Sequence, residues 1–107
     1  MNNQNFMHFD LFKLNYSKYI KYLQYRKEVK IMEKLIEILE EIEDGVDYEN
    51  CTTLIDDHYL DSLAIISLVA ELEDEFDIVI PTVEIIPDNF NSAKAMWEMI
   101  TRLQEEG

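Results

Sequence analysis

An all-α fold, a four-helix bundle with a short third helix and a long first loop, is predicted by three features of the sequence. The chain has 107 residues, room for one domain and not for two. It contains only two Gly and two Pro, too few joints for a turn-dense β-sandwich. Its apolar residues also recur at helical spacing in well-separated stretches.

The first such stretch places Met32, Leu35, Ile36, Ile38, Leu39 and Ile42 on one face, with Glu33, Glu37, Glu40, Glu41 and Glu43 on the other. Gly45 is a natural stop. Residues 45–61 form a long polar connection, whose Val46, Tyr48, Leu54 and Ile55 are expected to tuck into the core. The connection ends at Asp61-Ser62, either of which can cap a helix.

A second helix is expected from Ser62 to Phe76. At about 100° per residue, Ile65, Leu68, Val69, Leu72 and Phe76 form a core stripe. Leu63, Ile66 and Ala70 fall on another side, beside Glu73 and Asp74. Folding does not need that second apolar patch, and its acidic rim suggests a docking surface. Ile78 and Ile80 alternate in an extended segment that Pro81 breaks, and a brief helix is expected to start at Thr82. The last helix is expected from Asn91 or Ser92 to Leu103, with Ala93, Met96, Trp97, Ile100 and Leu103 facing inward.

Residues 1–31 differ in character from the rest. They carry six basic residues (Lys13, Lys18, Lys21, Arg26, Lys27, Lys30) and two acids, net +4, and are rich in Asn, Tyr, Phe and Ile. A helix from Tyr16 to Tyr25 is one reading. The other begins from Arg26-Lys27-Glu28-Val29, which AGA-AAG-GAG-GTN can encode, a string containing the bacterial ribosome-binding sequence AAGGAGGT. Met32 follows at start-codon distance. Residues 1–31 are therefore expected to be a translated leader, an N-terminal extension set apart from residues 32–107.

Residues 32–107 hold three basic residues and 21 acids, net −18, within a chain total of −14. Such a body repels phosphate backbones, so no nucleic acid is expected as partner, and basic faces are attracted. No apolar run is long enough for a membrane span. The single cysteine, Cys51, cannot form an internal disulfide and fits a reduced, cytoplasmic setting.

Catalytic motifs fail on inspection. Asp57, His58 and Ser62 lack the G-x-S-x-G elbow of a hydrolase, and the core is too small for a pocket. Counted from Asp57, a calcium loop would need Gly and Glu where Ser62 and Leu68 stand. Asp61-Ser62-Leu63 is different, because it joins a long loop to an amphipathic helix. A helix N-terminus offers free N–H groups and partial positive charge, which favour a phosphate on a serine there. By itself, such a triplet is most simply a helix cap. The neighbouring Asp61 could help hold a divalent cation during phosphate transfer.

Residues 59–81, YLDSLAIISLVAELEDEFDIVIP, resemble the acyl and peptidyl carrier protein family. The shared features are D-S-L, then L-E-x-E-F, then I-x-I-P, with F-N-S-A (residues 90–93) before a final helix. The resemblance covers essentially all of residues 32–107, which would be a carrier domain. It implies a 4'-phosphopantetheine arm attached to Ser62 by a phosphopantetheinyl transferase from coenzyme A, its thiol holding an acyl or aminoacyl group as a thioester. Asp61, Leu63, Ile66, Glu73 and Asp74 would then face partner proteins. Ala64 and Ser67 replace acids usual in fatty-acid carriers, and Leu60-Asp61-Ser62 looks closer to D-alanyl and peptide-synthetase carriers.

The expected function is thus a monomeric carrier, not an enzyme, moving its cargo between an activating ligase and acyl-transfer enzymes. The alternative is an acidic helical adaptor that binds basic partners without a prosthetic group.

Overall fold

The computed structural model describes the backbone of residues 2–107, with side chains from residue 16 onward. The helices are α1 (Asn2–Ile42), α2 (Ser62–Phe76), α3 (Pro87–Phe90) and α4 (Ala93–Glu106), with a 3-10 turn at Thr82–Glu84. The chain divides into two units, Met1–Lys30 and Ile31–Gly107.

In the first unit no side chain from residue 16 to 30 is buried. Tyr19, Tyr22, Leu23 and Tyr25 are exposed, and the Arg26 guanidinium lies 6.0 Å from the Tyr22 ring centre, one helical turn away. The helical reading of Tyr16–Tyr25 holds, and the helix runs well beyond it.

The second unit has one core. Leu35, Ile38 and Leu39 of α1 meet Leu68 and Leu72 of α2 and Met96, Met99 and Ile100 of α4. Ile31 belongs to the same core although it precedes Met32. Burying each such aliphatic side chain stabilises by about 1.5–3 kcal/mol. The long loop contributes Tyr48, Leu54 and Leu60, all buried, while Val46 and Ile55 pack against the core from its edge.

Helix ends are satisfied locally. After α1, Gly45 adopts φ +81, open to glycine at little cost. The buried Tyr48 hydroxyl reaches back to the carbonyl of Leu39 (3.2 Å), which also accepts the Glu43 N–H, and to the carbonyl of Glu43 just past the helix end. Burial, then the nearby Glu43, Glu40 and Asp44 carboxylates, push the Tyr48 hydroxyl up to about 12.

Beyond α2, Ile78 and Ile80 are buried and Val79 is 76% exposed, the alternation expected of an extended segment. The short helix expected at Thr82 resolves into two pieces. Thr82–Glu84 is only a 3-10 turn, and α3 begins at Pro87, whose fixed φ and missing N–H suit a first helical position. Arg102 of α4 grips Glu84 through two hydrogen bonds, 3.0 and 2.6 Å, and the Asn89 amide holds the same carboxylate at 3.0 Å. These contacts hold the Glu84 carboxyl below the usual carboxylate range, the Arg102 hydrogen bond contributing most. Helix α4 starts at Ala93, capped by Ser92 accepting the Ala95 N–H at 3.0 Å, and continues past Leu103 to Glu106.

Candidate functional site

The site begins with a division of labour between two adjacent residues. Asp61 takes the extended conformation of an N-cap, and its Oδ1 accepts the Ala64 N–H at 2.8 Å. Its carbonyl accepts the Ile65 N–H at 2.9 Å. Ser62 is therefore the first residue of α2 rather than its cap. Its side chain is exposed and makes no hydrogen bond among the described residues.

A free hydroxyl at the first turn of a 15-residue helix stands in the field of that helix's unpaired N–H groups. A phosphodiester on that oxygen would sit where anionic charge is favoured. The residues present fit a phosphopantetheine arm on these grounds. Asp61 keeps one carboxylate oxygen beyond its cap bond, but no group of three potential metal ligands occurs among the described residues.

The residues expected to face partners separate into two sets. Leu63 and Ile66 are 75% and 66% exposed, and Ala70 and Asp74 are also exposed. They share a side of α2 that the core leaves bare, whereas Leu68 and Leu72 are fully enclosed. Ile65, Val69 and Phe76 are half-buried against the core. Glu73 is placed differently: it is half-buried, and its Oε2 accepts the Ile80 N–H at 2.8 Å. Its carbonyl also accepts N–H groups from Asp77 and Ile78 as the chain leaves α2. Glu73 is therefore tied to the fold as well as near the surface.

Near the first turn of α2 lies an open apolar cleft of about 100 Å³, lined by Ile55, Ile65, Ile85, Ile86, Pro87 and Phe90. His58 is exposed at φ 62 and makes no side-chain hydrogen bond to Asp57 or Ser62 among the described residues. Asp57, His58 and Ser62 therefore do not form a hydrogen-bonded triad. A contact that periodicity could not reveal lies behind the loop: Asn91 binds the backbone of Ile55 and Asp56.

The second unit of the chain is similar to known proteins over nearly its whole length. The family described as "Phosphopantetheine attachment site" matches residues 30–100. The D-alanyl carrier protein of Streptococcus sanguinis is 38% identical over 76 residues, covering 69% of this chain and 95% of that protein. The D-alanyl carrier protein of Streptococcus mutans is 36% identical over 66 residues, 62% of this chain and 78% of that protein. Aminoacyl carrier protein 2 of Bradyrhizobium diazoefficiens is 46% identical over 41 residues, 38% of this chain and 46% of that protein. The likeness to D-alanyl carriers expected from Leu60-Asp61-Ser62 is met. The chain belongs to the phosphopantetheine-bearing carrier protein family.

Proposed function

We propose that Ser62 is the attachment point of the arm, and that the protein ferries an aminoacyl group between a ligase and an acceptor enzyme. One observation carries the site: Asp61 caps α2, so the Ser62 hydroxyl is left exposed and unengaged at a helix N-terminus. In the attachment step the Ser62 oxygen attacks the coenzyme A pyrophosphate and gives up its proton. The phosphopantetheinyl group moves to serine, and adenosine 3',5'-bisphosphate leaves. The thiol at the arm's end then holds the cargo as a thioester. The names of the D-alanyl and aminoacyl carriers it resembles favour an amino acid over a fatty acid as that cargo.

Partners read the bare side of α2, with apolar contact at Leu63 and Ile66 and charge contact at Asp74. The carrying unit is residues 32–107, to whose core Ile31 adds one side chain, with the preceding residues a separate extension, a reading supported by the division of the chain after Lys30. The test is intact mass after incubation with coenzyme A and a broad-specificity phosphopantetheinyl transferase. Addition of one phosphopantetheine is expected for the parent chain and none for Ser62→Ala. If the parent gains no mass, the acidic adaptor becomes the better reading. If Ser62→Ala gains it, the site lies elsewhere.

A further inference from the structure

The loop that delivers Asp61 and Ser62 is fastened from a distance by one amide side chain. Asn91 Oδ1 accepts two successive backbone N–H groups, Ile55 at 3.0 Å and Asp56 at 3.1 Å. Its Nδ2 donates to Asp56 Oδ2 at 3.3 Å, and its own carbonyl accepts the Leu54 N–H at 3.0 Å. Few side chains could do this. An amide oxygen has two lone pairs for two donors, while the amide nitrogen still donates to a carboxylate.

Both ends of this connection are firm. Asn91 closes α3 through its N–H to the Pro87 carbonyl at 2.9 Å, and it directly follows buried Phe90. On the loop side, the Leu60 N–H bonds the Leu54 carbonyl at 3.0 Å, and the His58 N–H bonds the Ile55 carbonyl at 3.0 Å. Leu54 and Leu60 are both buried. Residues 54–60 thus form a closed turn that ends one residue before the Asp61 cap. Within it His58 is held at φ 62, a backbone state that a non-glycine residue keeps only when its surroundings fix it.

We infer that Asn91 is a positioning residue for arm attachment: it fixes the 54–60 turn, and through it the presentation of Ser62 to the transferase. The inference rests on Ser62 being the attachment point. The hydrogen bonds of Asn91 run to Leu54, Ile55, Asp56 and Pro87 and to neither Leu63 nor Ile66, so loosening the turn should slow the transfer step rather than weaken binding.

The test measures phosphopantetheine transfer to the full-length chain. Asn91→Ala should lower kcat about tenfold, with KM changed by less than about twofold. Amide exchange at Ile55 and Asp56 should quicken in the same variant. Ser92→Ala is the control, since it removes the adjacent α4 cap without touching the turn, and its transfer rate should match the parent. Asn91→Asp keeps an acceptor for both N–H groups but sets a second carboxylate against Asp56, and it should slow transfer by about threefold. Adding Asp56→Asn restores a donor opposite that carboxylate and should return the rate to near the parent. This pair carries the test even if Asn91→Ala fails to fold. The inference is overturned if Asn91→Ala transfers at the parent rate, if Ser92→Ala is slowed as much, or if the exchanged pair folds yet gains nothing over Asn91→Asp. A Ser62→Ala chain that still accepts the arm would instead refute the attachment site itself.

Discussion

The two ends of α2 treat their polar groups in opposite ways. At the N-terminal end Asp61 satisfies the cap, and the neighbouring Ser62 hydroxyl stays free. At the C-terminal end, about 17 Å along the axis, Glu73 is tied by its side chain to the Ile80 N–H and by its carbonyl to Asp77 and Ile78. One end leaves a hydroxyl free, as the proposed attachment of the arm requires, and the other closes the fold. Residues of like charge on one helix can therefore differ in role, and the hydrogen-bond partner decides which role each has.

The largest expected effect comes from breaking the closed end. Ile80 is buried, so Glu73→Ala leaves its N–H without an acceptor and should cost about 2 kcal/mol in chemical denaturation. Ser62→Ala at the open end removes no hydrogen bond and should change stability by less than about 0.5 kcal/mol. Equal losses for the two variants would mean the Ile80 contact contributes nothing.

Much of this contrast was legible in the sequence, and one half of it was not. Helical periodicity separates Leu68 and Leu72 from Leu63 and Ile66, and their burial follows that separation. Periodicity reports which side of a helix a residue occupies. It cannot report that the chain turns back seven residues later and offers Glu73 a half-buried N–H. Asn91 was legible only as a candidate cap for the last helix, because its partners lie 35 and 36 residues away. The apolar loop residues Tyr48 and Leu54 stood out against a polar loop. Ile31 did not, because reading residues 1–31 as a leader put the boundary on its far side.

A comparable effect is expected at the C-terminal end of α1, read through pH. Tyr48 has its hydroxyl pushed up to about 12 from an ordinary value near 10, with burial the main cause. The folded state therefore holds this proton more tightly than the unfolded chain. The stabilisation is complete below about pH 10 and is lost as pH rises toward 12, on the order of 2 kcal/mol in all. Tyr48→Phe should be less stable near neutral pH and lack this alkaline loss. Denaturation of both chains between pH 9 and 12 checks the sign, and parallel curves would show that Tyr48 is not the group responsible.

A smaller effect sharpens the closed end in the other direction. Asp77 leaves α2 at φ 53, in the left-handed region where glycine is preferred. Asp77→Gly should stabilise by about 0.5–1 kcal/mol, since it relieves the Cβ crowding inherent in that backbone region and removes one acid from a chain of net charge −14. A lower melting temperature in the variant would show that the Asp77 side chain makes a compensating contribution.

The smallest expected effect on stability belongs to the bare side of α2, where function should respond instead. Neither Ile66→Asp nor Asp74→Lys alters a core residue, so both should keep their helical circular dichroism and melt within a few degrees of the parent. Their effects on arm attachment should differ in kind. Asp74→Lys reverses an exposed charge and should slow association with a basic partner face, most visibly at low salt and little at high salt. Ile66→Asp removes apolar contact beside the proposed attachment point, so its penalty should persist at both salt concentrations. Glu73 is unsuitable for this experiment, because a charge reversal there also breaks the Ile80 contact and mixes folding with docking. Transfer rates for the two variants at low and high salt separate the terms. A salt-independent Asp74→Lys would remove charge steering from this surface, and an Ile66→Asp chain that unfolds would show that residue 66 belongs to the core.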